Sequence, residues 1–161
     1  MTAKLNVALT IQTPLWKSRL KPYKKTVQKI LNSALAAIPL QNKVENLEVA
    51  VVLANDDFVQ GLNKEFRGKD KPTNVLSFPS SLTSDHRPLT SELGDIILAI
   101  ETIEREAKEQ NKTFHDHTAH LLVHGFLHLL GYDHIDEKDA EKMERKEIKI
   151  LKSIGIKNPY L

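Results

Sequence analysis

Residues 94–100 read Gly-Asp-Ile-Ile-Leu-Ala-Ile. The run from Ile96 to Ile100 is unbroken and apolar, with no polar side for water. It is predicted to be a strand covered on both faces, near the middle of a sheet. It is far too short to cross a bilayer. Upstream, Leu5, Val7, Leu9 and Ile11 alternate with Asn6, Ala8, Thr10 and Gln12. That period of two marks a half-buried strand. Trp16, Leu20, Tyr23, Val27, Ile30, Leu31, Ala34, Leu35 and Ile38 follow in steps of three and four, an amphipathic helix with Pro22 in its first turn and Pro39 at its end. A second strand is expected over 47–54. Asn55 then caps a short helix, with Asp56 and Asp57 in its first turn, Phe58, Leu62 and Phe66 as its buried face, and Gly68 as its terminator. Residues 75–78 form a short strand stopped by Pro79. Residues 80–92, rich in Ser and Thr with Pro88, are expected to be a long functional or mobile loop.

Downstream of the central strand, helices are predicted over 101–110, 113–130 and 136–154. Gly131 suits the C′ position of the second. The third carries Met143, Ile148, Leu151 and Ile154 as its apolar stripe, and its mixed charged face (Lys142, Arg145, Lys146 and Lys149 with Glu141, Glu144 and Glu147) reads as solvent-exposed. The expected fold is α+β. One domain spans 1–161, with a small mixed four-stranded sheet packed with about five helices and a metal site at the end of the His-rich helix.

The chain has 161 residues and a mass of 18.2 kDa, enough for one self-sufficient core. It has no cysteine, which excludes disulfides, thiolate zinc sites, iron–sulfur clusters and a cysteine nucleophile. The 23 basic and 21 acidic residues leave a formal charge of +2, short of the basic excess that holds nucleic acid by charge alone. The first dozen residues lack the apolar core of a signal peptide. A cytoplasmic location is expected, with no membrane partner.

All seven histidines lie after residue 85. His124 and His128 stand one helical turn apart on one face, about 6 Å along the axis. Gly131 ends the helix, and the chain can then turn back to bring His134 to the same point. Two imidazoles one turn apart can bind one ion at roughly 2.0–2.1 Å each. His120 and His128 are about 12 Å apart along the axis and cannot share an ion. A lone histidine is more often a packing or surface residue than a ligand, but His-x3-His-x5-His with an intervening glycine points to a metal site. Three neutral imidazoles would leave the ion's charge intact and a fourth position open. Asp133 and His120 are candidates to orient the ligands from behind, with a helix-capping turn as the alternative for Asp133. The residue after His124 is Gly125, where HExxH metalloproteases place a glutamate base.

The stretch His124-Gly-Phe-Leu-His-Leu-Leu-Gly-Tyr-Asp-His134 closely resembles the signature of the YbeY family of metal-dependent bacterial endoribonucleases. Asn63-Lys-Glu-Phe-Arg-Gly-Lys-Asp-Lys-Pro-Thr-Asn-Val-Leu-Ser-Phe-Pro79 is similar to that family's second motif, and Leu93-Gly-Asp-Ile-Ile97 to its third. The three occur in family order, and the resemblance covers residues 47–135 best. One departure is Asn74, where the family usually has Asp; the position reads as structural.

The resemblance implies His124, His128 and His134 as ligands of one divalent ion, expected to be Zn2+. It implies Arg67 as the catalytic arginine facing the metal. An RNA phosphodiester gains negative charge in its transition state, and a guanidinium is a planar, permanent cation for those oxygens. Lys64, Lys69 and Lys71 could extend a phosphate path, though Glu65 and Asp70 partly cancel them. The implied activity is a zinc-dependent, single-strand-specific endoribonuclease. It would act in ribosomal RNA maturation, at the small-subunit rRNA 3′ end, and in ribosome quality control. Expected partners are ribosomal RNA and ribosomal proteins, not DNA. Two rivals stand beside it: a metal-dependent hydrolase of another substrate class, and a non-catalytic ribosome-assembly factor with a structural metal.

Overall fold

The computed structural model describes residues 4–39, 46–80, 91–133 and 135–161. Its sheet is built around the apolar run. Strand β4 (Glu92–Ala99) lies between β2 (Asn46–Ala54) and β3 (Val75–Pro79), and β1 (Lys4–Ile11) forms the far edge. The order is β1-β2-β4-β3. β1, β2 and β4 run parallel, and β3 is antiparallel to β4. Every residue of β4 from Ile96 to Ala99 is buried, as a strand with helices on both faces requires.

Before β2 come α1 (Leu15–Arg19) and α2 (Tyr23–Ala36), and between β2 and β3 lies α3 (Asp56–Arg67). After β4 follow α4 (Ile100–Glu109), α5 (Phe114–Leu129) and α6 (Glu137–Ser153). The larger core joins one sheet face to α2, α5 and α6 through Leu31, Val51, Leu53, Ile96, Leu98, Leu122, Phe126 and Leu151. A smaller core of Ala54, Val59, Leu76, Ile97 and Ala99 places α3 on the opposite face. The indole of Trp16 is fully buried, and its Nε1 donates to the Ala54 carbonyl at 2.9 Å. Among the described residues no helix is long and apolar enough to cross a membrane.

Three expectations need correction. The single helix expected from Trp16 to Ile38 is two, with an extended Leu20 between them. Pro22 has no N–H for a continuing helix and disfavours the helical conformation at Lys21. Second, of the expected face Phe58, Leu62 and Phe66 on α3, only Leu62 is partly covered, against the smaller core, and Phe58 and Phe66 are exposed. The helix buries Val59 and Asn63, and Phe66 is 62% exposed. Third, the buried side of α6 is Met143, Glu147, Ile150 and Leu151, so Glu147 does not belong to a solvated face. The loop expected at 80–92 falls largely on 81–90, outside the described residues.

The caps follow the local chemistry. Asn55, Thr113 and Asp136 accept backbone N–H bonds at the starts of α3, α5 and α6. Gly68 ends α3 in the left-handed region at φ 69°.

Helix α5 sits directly on the sheet at Gly125. A Cβ there would lie 2.9 Å from Ser77 Oγ and 3.1 Å from Ile96 Cγ2. Alanine is ordinarily worth about 1 kcal/mol over glycine in a helix. Overpacking costs about 1–3 kcal/mol. Gly125→Ala is therefore expected to be destabilising on balance, by up to about 2 kcal/mol, read as a lower midpoint in urea unfolding. A raised midpoint would show that α5 can lift without strain.

Candidate active site

The cleft lies where the C-terminal end of α5 meets the edge strand β3. Arg67, Ser77, His124, His128, Tyr132 and Asp133 line it together with Val75, Pro79 and Gly131, and its volume is about 300 Å³. The chain leaves α5 at Leu130 and turns through Gly131, whose φ is 97°. Tyr132 N–H donates back to the Leu127 carbonyl at 3.0 Å, which closes the turn.

His124 and His128 project from successive turns of α5, with their Nε2 atoms 3.1 Å apart. Two nitrogens bound to one tetrahedral ion at 2.0–2.1 Å would be roughly 3.3 Å apart. The pair is already near that spacing. His134 is outside the described residues, and among those described no group of three metal-ligating side chains converges. Asp133 is exposed at the cleft rim.

Behind His124 lies a carboxylate that pattern reading missed. Glu147 of α6 is 0% exposed. His124 Nδ1 donates to its Oε1 at 3.0 Å, and His120 Nε2 donates to the same oxygen at 3.1 Å. The Tyr160 hydroxyl donates to Oε2 at 2.8 Å. Burial alone would push this carboxyl up, but the histidine hydrogen bonds and the charge of the same two rings outweigh it and hold the group down at about 2. Burial and the adjacent carboxylate push the Tyr160 phenol up. Glu147 thus fixes the His124 tautomer: Nδ1 carries the proton and Nε2 presents its lone pair to the cleft. His120 touches Glu147, not the cleft. The only sequence signal for Glu147 was its position among Met143, Ile150 and Leu151, on the buried side of the helix.

Arg67 ends α3 on the other sheet face and reaches around the edge of β3. Its Nη2 donates to the Ser77 carbonyl at 3.0 Å, and its guanidinium lies 5.5 Å from the Phe78 ring centroid. Among the described residues no acidic side chain pairs with it. The ladder from β3 to β4 uses alternate residues, with Ala99 N–H on the Asn74 carbonyl and Ser80 N–H on the Leu93 carbonyl. The Ser77 carbonyl therefore faces the open edge. Lys64 pairs with Asp70 at 3.8 Å in an exposed contact worth little.

Asn74 lies outside the cleft lining. Its Oδ1 accepts from Val75 N–H at 2.7 Å, and its Nδ2 donates to Glu106 Oε1 at 2.9 Å. His117 Nε2 donates to the same Glu106 oxygen at 2.9 Å. An aspartate at 74 could keep the first bond but would turn the second into a carboxylate–carboxylate contact.

Gly125 explains the missing glutamate. A Cβ at this position would already press on Ser77 Oγ and Ile96 Cγ2, so there is no room for a glutamate between α5 and the sheet.

Fold and cleft together define an α+β protein that sets paired imidazoles against an arginine across a sheet edge. A family model described as endoribonuclease YbeY matches residues 10–155. Endoribonuclease YbeY of Paramagnetospirillum magneticum is 44% identical over 164 residues, covering 99% of this chain and 98% of the relative. That of Agrobacterium fabrum is 41% identical, covering 98% and 96%. The solution structure of TM1509 from Thermotoga maritima aligns with TM-score 0.55 and 25% identity, over 92% of this chain and 91% of that one. The chain belongs to the YbeY endoribonuclease family.

Proposed function

We propose that this chain is a metal-dependent endoribonuclease that cuts single-stranded regions of ribosomal RNA, during small-subunit 3′-end maturation and ribosome quality control. The observation that carries the reading is the pair of Nε2 atoms, 3.1 Å apart, in the same cleft as the Arg67 guanidinium. The donor set, neutral imidazoles with a carboxylate behind one of them, suits Zn2+. His124 and His128 would hold the ion, with His134 as third ligand. Bound there, the ion supplies Lewis acidity to a phosphate oxygen or a water of lowered pKa. Arg67 binds a non-bridging phosphate oxygen and meets the charge that grows in the transition state. Its bond to Ser77 and its place over Phe78 limit its rotamers, so little ordering is left for the moment of binding.

The test is cleavage of an end-labelled RNA with a single-stranded tail. Activity is expected to vanish after chelation and return with stoichiometric Zn2+. A substrate carrying a 2′-deoxy residue at the cut position separates hydrolysis, which needs no 2′-hydroxyl, from internal attack, which does. Cleavage that persists in thoroughly chelated protein would sink metal dependence.

Glu147→Gln tests the anchor behind His124. The amide keeps the shape of the carboxylate but removes its charge and one acceptor. Loss of such a partner typically costs 10–100-fold in metal affinity. A drop of that size is expected in competition with a chromophoric chelator. Unchanged affinity would mean that His124 is oriented without Glu147.

A further inference from the structure

We propose that Phe66 is a stacking platform for a nucleobase flanking the phosphate held by Arg67. Three groups form a ladder across the edge of β3. The Arg67 guanidinium lies 5.5 Å from the Phe78 ring centroid, and the Phe78 ring meets Phe66 edge-on with centroids 5.6 Å apart. Phe66 nevertheless remains 62% exposed. An aromatic ring left in water at the C-terminal turn of a capped helix forgoes most of the burial that would ordinarily favour it.

The ring that Phe66 leans on is also held before any ligand arrives. Phe78 packs against the smaller core, and Arg67 is tied to the Ser77 carbonyl. A base stacking on Phe66 would therefore cost little side-chain entropy. The surrounding charge is mixed but net positive: Lys69 and Lys71 follow on the exposed loop beyond Gly68, with Asp70 between them paired to Lys64 and Glu65 beside Phe66. Aromatic stacking beside a cation is the usual arrangement for single-stranded nucleic acid, and it tolerates any base because every base has a π face. A single strand could thus place its scissile phosphate at Arg67 and a neighbouring base on Phe66, wrapped around the sheet edge. A paired base, already stacked in a duplex, could not do so without unpairing, which gives the site a reason to prefer single strands.

The inference rests on the endoribonuclease reading, and binding without cleavage separates the two. The probes are a fluorescein-labelled 2′-O-methyl oligoadenylate of about ten nucleotides and the same backbone lacking bases. Affinities would be read by anisotropy for wild type, Phe66→Leu and Phe66→Trp. Phe66→Leu is expected to weaken oligoadenylate binding roughly 5- to 150-fold, the range for loss of one stacked base, and to change binding of the base-less strand less than about twofold. Phe66→Trp should bind oligoadenylate like wild type and lose indole emission on binding. Trp16, the sole native tryptophan, is fully buried and supplies a constant background. Equal weakening of both strands, or of neither, overturns the proposal, and the second result would leave Phe58, Leu62 and Phe66 as a surface for a protein. Wild type that binds as expected but cuts no RNA would sink the nuclease reading alone.

Discussion

His128→Ala is expected to abolish metal loading and lower RNA cleavage by roughly 10³-fold or more. Loss of a single oxyanion-stabilising donor already costs about 10²–10³ in kcat, and this change removes the source of the strongest charge in the proposed site. The fold should survive. His128 is only half-buried at the end of α5, and the larger core passes it by. Substitutions away from the core features that dominate stability usually change it by about 0.5 kcal/mol or less. Metal content by atomic emission, unfolding midpoint and cleavage rate, measured on one preparation, check all three parts. A collapsed midpoint together with lost metal would favour a structural ion, and with it a ribosome-assembly factor that does not cut.

Arg67→Ala is expected to lower kcat about 10²–10³-fold while metal content stays at the wild-type level. Arg67 reaches the cleft from α3, on the opposite sheet face from α5, and makes no contact with His124 or His128 among its hydrogen bonds. Its loss should therefore separate cleanly from loss of the ion. Lysine should restore only part of the rate, because a point charge cannot both bind the Ser77 carbonyl and offer a planar fork to phosphate. Single-turnover cleavage at saturating RNA is the measurement. Full activity in Arg67→Ala would remove the arginine from the mechanism and leave the paired imidazoles to account for it.

The parts of the fold set by local rules were legible in the sequence. The apolar run at 96–100 named the interior strand, and Asn55, Gly68 and Gly131 marked helix ends through chemistry that acts over a few residues. The motifs around Arg67 and His124 identified the family through their spacing. What was not legible depended on partners distant in the chain. The most apolar stripe of α3 is Phe58–Leu62–Phe66, yet the helix buries Val59 in the smaller core and Asn63, whose Nδ2 donates to the Lys71 carbonyl of the following loop at 2.8 Å. Glu147 looked like one more acid on a charged helix. Its burial is set by two histidines on α5 and by Tyr160, which no periodicity within α6 encodes.

The edge of β3 carries a consequence for solubility. An exposed strand edge invites pairing with another chain, and proteins commonly block it. Here Asn74 covers the outward N–H of Val75, Arg67 covers the outward carbonyl of Ser77, and Pro79 has no N–H to offer. The guanidinium proposed to bind phosphate thus also covers one acceptor through which a second chain could pair. Preparations lacking Arg67 should therefore be watched by light scattering, since a strand edge without its cover is where aggregation would begin.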